Sequence, residues 1–458
     1  MYTLSNLANV CRFWRVTLIK KPRAWATIFA TQRDRRSFVS TCLERSYPAP
    51  LEVTVDVHIY GQTDPSCTCD IDEDGDGFLV HNETVPCESH FVFESLAETK
   101  HSTRIHTLNV VFYSDREGDL LELEGCRFFK LSDLKPTSLR LEMSGKNHAP
   151  LRPYFPPTLL FMFPLRSSVG DGFTKFKNLT SFTFVSSGKG ISVEGFQDLL
   201  LNNRSLETLS LDSVDFETDS NQDPVTLPNL KSLSVNYPLD GSEEQYSAVF
   251  RAPALQRLSS LLISVTEGKS EFDRFTLSAT GEDIAFTIEC DLEWIVELWQ
   301  DLTEYASPTI HHIRLGTPGN LDDLFDVEGD GGVITLFADA HTVEIGRCVC
   351  FDHRFAYTHP GFWNDMKELG PQLKTIRFEI PEDAEPVEGS GEDGDVGHNA
   401  LFYHIKDLVI YRFTHNRPFS SVERMVVSDN EQVNRRQESV WRRFYGDCHL
   451  DGYIRHHR

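Results

Sequence analysis

Positive charge is scarce in this sequence: 44 Lys and Arg stand against 69 Asp and Glu, a formal net charge of −25. A chain so acidic lacks the positive field needed to approach a polyanion, which argues against general affinity for nucleic acid or for anionic membranes. Long apolar runs are missing too. The longest cluster, over residues 158–165, is broken by Pro164 and falls far short of the roughly 20 apolar residues that a membrane span needs. The opening residues Met1-Tyr2-Thr3-Leu4-Ser5-Asn6 hold no hydrophobic leader region. Cysteine is sparse and scattered, 10 in 458 residues, so the expectation is free thiols in a reducing compartment, the cytoplasm or the nucleus. Sequons at Asn82, Asn178 and Asn203 are then expected to stay unglycosylated.

Signatures of catalysis are also lacking. No H-E-x-x-H, Walker loop or G-x-S-x-G elbow occurs, so the chain is expected not to be an enzyme and to need no cofactor. Gly389-Ser390-Gly391-Glu392-Asp393-Gly394 spells G-x-G-x-x-G, yet it puts Glu392 and Asp393 where a phosphate would sit. Asp70, Asp72, Asp74 and Gly75 open like a calcium loop, but the twelfth position is His81 where a bidentate Glu belongs. Cys67, Cys69, Cys87 and His90 form one candidate ligand cluster, and His341, Cys348, Cys350 and His353 another. Both thiol pairs are Cys-x-Cys, tighter than the spacing of structural zinc sites, so no bound metal is expected.

Basic residues that do occur are concentrated at one end. Residues 1–45 hold nine Arg or Lys against Asp34 and Glu44. Leu4, Leu7, Cys11, Trp14 and Leu18 follow the 3-4 spacing of one helical face, with Val10 widening the stripe. This helix should stop before Pro22. Phe38, Val39, Cys42 and Leu43 mark a second helix, ending near Pro48 and Pro50. Leu51, Val53, Val55, Val57 and Ile59 then alternate with polar residues, the period of a half-buried strand.

Beyond residue 100 one apolar spacing recurs, the L-x-x-L-x-L of leucine-rich repeats. It reads Ile105/Leu108/Val110, Leu179/Phe182/Phe184, Leu206/Leu209/Leu211, Leu230/Leu233/Val235, Leu258/Leu261/Ile263, Ile310/Ile313/Leu315, Leu373/Ile376/Phe378 and Val422/Met425/Val427, with a weaker copy at Ala340/Val343/Ile345. Central units fall about 24 to 28 residues apart, close to the 20–29 of such repeats. Helical stretches precede three of these strands: Phe196/Leu199/Leu200, Leu292/Ile295/Trp299/Leu302 and Phe362/Met366/Leu369. The Asn or Cys expected three positions beyond the third apolar site is absent, Val214 and Pro238 standing there. An ordinary α/β domain with Leu-rich strands is the competing interpretation. Residues 70–77, 322–332 and 381–397 are acidic and Gly-rich, and are expected to be loops.

The expectation is therefore an α/β chain: a short helical module over 1–46, a strand and acidic loop over 47–100, an irregular leucine-rich-repeat-like solenoid over 101–435, and a tail or cap over 436–458. Asn9-Val10-Cys11-Arg12-Phe13-Trp14-Arg15, followed by Leu18, Pro22 and Trp25, resembles the second half of an F-box. The continuation Leu43-Glu44-Arg45-Ser46, then Ala49-Pro50-Leu51 and an alternating strand, is similar to the large F-box-like families of mushroom-forming fungi. That resemblance implies a substrate-recognition adaptor of a Skp-cullin-F-box type ubiquitin ligase, with a Skp-family adaptor, a cullin and a protein substrate as partners. Leu4, Leu7, Val10, Cys11, Trp14, Leu18 and Trp25 are the residues it assigns to adaptor docking. An F-box of this kind opens with a Leu-Pro-containing helix upstream of these residues, and the chain as read begins inside the module. A repeat scaffold with a vestigial F-box and no ligase is the alternative.

Variable positions between the apolar ones of each strand point to the shared outer face. Early units place Thr208, Ser210, Ser232 and Ser234 there, whereas later ones place His312, Arg314, Arg377 and Arg424, with Lys374 nearby. This basic stripe is the expected substrate-binding surface, suited to an acidic or phosphorylated segment. Equally, those charges can neutralise the acidic loops.

Overall fold

In the computed structural model the chain forms two compact units, Met1–Ala254 and Leu255–Arg458. Described residues are 12–31, 36–59, 69–71, 79–81, 92, 95–114, 134–145, 176–185, 191–214, 216–217, 223–237, 246–266, 274–290, 292–316, 336, 339–346, 366–379 and 407–425. The architecture is mixed α/β, dominated by parallel strands, with few helices. None of the described helices is long and apolar enough to cross a membrane.

Unit 1 begins with α1 (Arg12–Ile19), which ends ahead of a 3-10 turn at Pro22–Trp25, as the proline dictates. Strand β1 (Thr27–Thr31) and α2 (Arg36–Arg45) follow. Then come β2 (Leu51–Ile59), β3 (Ile105–Ser114), β4 (Ser138–Gly145), β5 (Ser181–Val185), β6 (Thr208–Asp212) and β7 (Ser232–Asn236). Their order in the sheet is their order in the chain, and each runs parallel to the next.

The register explains the sequence period. Ile28, Val53, Leu108, Leu139, Phe182, Leu209 and Leu233 form one cross-strand row, and Ala30, Val55, Val110, Leu141, Phe184, Leu211 and Val235 form the next. All are buried. Burial of each large apolar side chain contributes about 1.5–3 kcal/mol, and a slip of one residue would turn a whole strand's apolar set outward. Helix α3 (Val193–Asn202) buries Val193, Phe196, Leu199 and Leu200. It closes on Asn203, whose Oδ1 accepts from the Leu179 amide at 2.9 Å while Nδ2 donates to Phe176 O and Leu199 O, both at 2.8 Å.

Unit 2 departs from the repeat at its start. Strands β8 (Leu258–Thr266), β9 (Arg274–Gly281) and β10 (Ile284–Cys290) form an antiparallel meander. Its tight turn runs through Asp283 at φ 59°, and a Cβ on Gly281 would lie 1.9 Å from Arg257 O, so only glycine fits. Helix α4 (Leu292–Thr303) buries Ile295, Leu298, Trp299 and Leu302. Parallel strands then resume from β8: β11 (His312–Leu315), β12 (Thr342–Ile345), β13 (Thr375–Glu379) and β14 (Ser421–Met425). Leu261, Ile313, Val343, Ile376 and Val422 make the continuous buried row.

Two sequence assignments need correction. The last triplet is displaced by three residues, because Val422 and not Met425 pairs with Ile376; Met425 pairs with Glu379. Asp70 is not in a loop: Cys69–Ile71 is a strand, antiparallel to Leu79–His81. The rest of that acidic stretch, those at 322–332 and 381–397, Phe362 and the tail lie outside the described residues.

Candidate recognition surface

The N-terminal module can be built from its anchors. Trp25 is buried at 8% exposure, with the Arg45 guanidinium of α2 4.6 Å above its ring. Arg104, at the entrance to β3, ties the end of α2 to the sheet. Its Nε and Nη2 donate to Ala49 O at 3.0 and 2.8 Å, Nη2 also to Ser46 Oγ at 2.8 Å, and Nη1 to Leu43 O at 3.3 Å. The guanidinium also lies 5.2 Å from the Tyr47 ring centroid. A fork of rigid donors is well suited to collecting carbonyls that a helix terminus leaves without intrahelical partners. Burial lowers the Arg104 pKa, with the Tyr47 hydroxyl acting in the opposite sense.

Of the residues assigned to adaptor docking, Trp25 is in this packed corner, Trp14 and Leu18 are on α1, and Leu4, Leu7, Val10 and Cys11 lie outside the described residues. Sequence reasoning passed over another set. Phe13, Val16 and Ile19 are 73%, 43% and 41% exposed on α1, three residues apart and therefore along one side. Arg12 and Lys20 flank them, also exposed. Their spacing was the available signal, masked by the stronger stripe through Trp14 and Leu18.

On the outward face of unit 1, small hydroxyls prevail. Ser138, Ser181, Thr208 and Ser232 succeed one another across β4 to β7, and Thr183, Ser210 and Ser234 follow one step along. Arg140 interrupts them and is bound to Glu142 at 2.8 Å. The outward face of unit 2 is charged. Leu262, Arg314, Glu344, Arg377 and Glu423 occupy one row, and Ser260, His312, Thr342, Thr375 and Ser421 the neighbouring one.

The expected basic residues therefore alternate with carboxylates. Arg377 donates through Nη1 to Glu344 Oε1 at 2.9 Å and through Nε to Glu423 Oε2 at 2.8 Å. His312 places Nε2 3.2 Å from Glu344 Oε1 and Nδ1 3.0 Å from Ser260 Oγ. Burial pushes the Glu344 carboxyl up, but Arg377 and His312 outweigh it and hold it below the usual value. Ser421 and Arg377 lower Glu423, and the two carboxylates raise Arg377. Arg314 is exposed and forms no ion pair among the described residues. Lys374 precedes β13 and is exposed. Arg424 pairs in register with Phe378, a position removed from the Glu344–Arg377–Glu423 row. Among the described residues, the partners of Arg377 and His312 thus come from neighbouring strands.

Among the described residues no group of three or more His, Cys, Asp or Glu could hold a metal ion. His81 and Cys69 are opposite one another in the short hairpin. Asp72, Asp74, Gly75, Cys67, Cys87, His90, Cys348, Cys350 and His353 lie outside the described residues. Cys42 and Cys290 are buried and not joined in a disulfide. Neither a scan against protein-family models nor a search of curated proteins finds a match to this chain.

Proposed function

We propose that this chain is a substrate-recognition subunit of a Skp-cullin-F-box type ubiquitin ligase, docking its adaptor through the N-terminal helices and binding a target protein on the outward face of its strands. The parallel strands are then the leucine-rich-repeat-like units of an irregular solenoid. The observation that carries the reading is the register. Apolar pairs of successive strands fall opposite one another from Leu108/Val110 through Leu233/Val235 and again from Leu261/Ile263 through Ile376/Phe378, the stacking that repeat units use because none buries its apolar face alone. An N-terminal helix with exposed Phe13, Val16 and Ile19 in a locally basic segment supports docking to an acidic partner.

A repeat scaffold without a ligase is the second reading, favoured by Trp25, which packs inside the chain's own module under Arg45. Affinity purification with blotting for the Skp-family adaptor and cullin separates the two. Recovery of both that Trp14→Ala abolishes supports the ligase subunit; recovery of neither leaves the scaffold.

A further inference from the structure

One basic row of unit 2 lies just ahead of its parallel strands and belongs to neither outward row. The His311 amide donates to Ser259 O at 2.9 Å, His341 to His311 O at 2.8 Å, Lys374 to His341 O at 2.9 Å and Ser420 to Lys374 O at 2.7 Å. Ser259, His311, His341, Lys374 and Ser420 therefore succeed one another at the strand spacing of about 4.8 Å. All five are exposed. The His311 and His341 imidazoles stack with centroids 4.6 Å apart and planes within 9°. Every side chain in the row can donate a hydrogen bond, none is a carboxylate, and none has a hydrogen-bond or ion-pair partner among the described residues.

The equivalent row of unit 1 satisfies itself. His106, Thr137, Thr180, Glu207 and Lys231 are linked by the same backbone pattern. There, Thr137 Oγ1 is 2.7 Å from His106 Nδ1, Thr180 Oγ1 donates to Thr137 O at 3.1 Å, and Lys231 pairs with Glu207 at 2.9 Å. Nor does the adjacent charged row of unit 2 lend a carboxylate, since Glu344 and Glu423 are engaged by Arg377. Among the described residues, then, this row of unit 2 is left without an acidic partner, whereas its counterpart in unit 1 has one in Glu207.

We propose that His311, His341 and Lys374 form a binding site for the phosphate group of a phosphate monoester. Donors on adjacent strands can each make a hydrogen bond of about 2.8 Å to different oxygens of one tetrahedral anion. Lys374, next in the row, supplies a compact positive charge, and Ser259 and Ser420 add hydroxyls at either end. A monocarboxylate offers only two oxygens and a single charge, so the site favours phosphate over acetate. The group can belong to a free metabolite or to a phosphorylated side chain of a partner, and the site does not depend on whether the chain docks a ligase adaptor.

The test is 31P NMR line broadening of inorganic phosphate titrated with the full chain at constant ionic strength, with His311→Ala/His341→Ala, Lys374→Met and the unit 1 control His106→Ala. All four side chains are exposed, so the variants should keep the wild-type far-ultraviolet circular dichroism. Expected is binding that weakens at least tenfold in the double histidine variant and in Lys374→Met, and is unchanged in His106→Ala. A phosphoserine peptide that competes more strongly than inorganic phosphate assigns the group to a partner; competition no stronger than that of phosphate assigns it to a free metabolite. Equal binding by wild type and the double variant, or displacement by acetate as readily as by phosphate, would overturn the proposal.

Discussion

Arg377 and Glu344 meet across adjacent strands, Nη1 to Oε1, at 2.9 Å. Glu344 is only 12% exposed, so its charge persists through Arg377 and the nearby His312. Arg377→Met should cost about 1 kcal/mol, the partial exposure of the arginine keeping the loss small. Because the folded carboxyl titrates below its unfolded value, the stabilisation is complete above the ordinary glutamate pKa of about 4.3 and is lost as pH falls through the lower folded value. Urea denaturation at neutral and at acid pH checks both: the gap between wild type and variant should narrow on acidification.

Arg412 is a different kind of charge. It is fully buried, over the Phe419 ring, and its guanidinium donates to Met366 O, Leu369 O, Gly370 O and Leu373 O. Burial, helped by Arg417, lowers its pKa to about 10, so it remains cationic at neutral pH. Arg412→Met removes the donors from these carbonyls and should cost about 3 kcal/mol. Thermal unfolding should register the loss, and Arg412→Lys should recover only part of it because an ammonium cannot span the same fork.

Asn203→Ala should cost about 2 kcal/mol, since it strips the Leu179 amide and two buried carbonyls of their partners at once. Asn203→Asp separates the roles. A carboxylate still accepts from Leu179 but faces Phe176 O and Leu199 O with no hydrogen to give, so it should be at least as destabilising. Chemical denaturation of both variants decides this.

Much of the fold was legible because burial imposes the strand period directly. Leu209, Leu211, Leu233 and Val235 announce their strands without any knowledge of neighbours. The meander of β9 and β10 was missed although Phe275, Leu277 and Ala279, and then Ile284, Phe286 and Ile288, alternate inward; no L-x-x-L-x-L accompanies them. Val422 was misplaced because Met425 and Val427 copy the spacing equally well, and only pairing to β13 fixes the register. The outward charges were harder still. Partners of Arg377 lie 33 and 46 residues away in sequence, and only parallel stacking brings Glu344 and Glu423 beside it.

Arg104 holds the end of α2 to the sheet, so Arg104→Ala should loosen residues 36–50 before the rest of unit 1. Hydrogen exchange read by mass spectrometry should show protection falling there first, with a global loss of about 2 kcal/mol. Uniform loss across β2 to β7 would mean that Arg104 serves the whole sheet.

Binding of the purified full chain to a purified Skp-family adaptor, followed by sedimentation velocity at micromolar concentrations, tests the ligase reading most directly. A single complex that Phe13→Asp/Val16→Asp abolishes, with the variant still folded, is the predicted result. Sedimentation of the wild-type chain and the adaptor as separate species would contradict it.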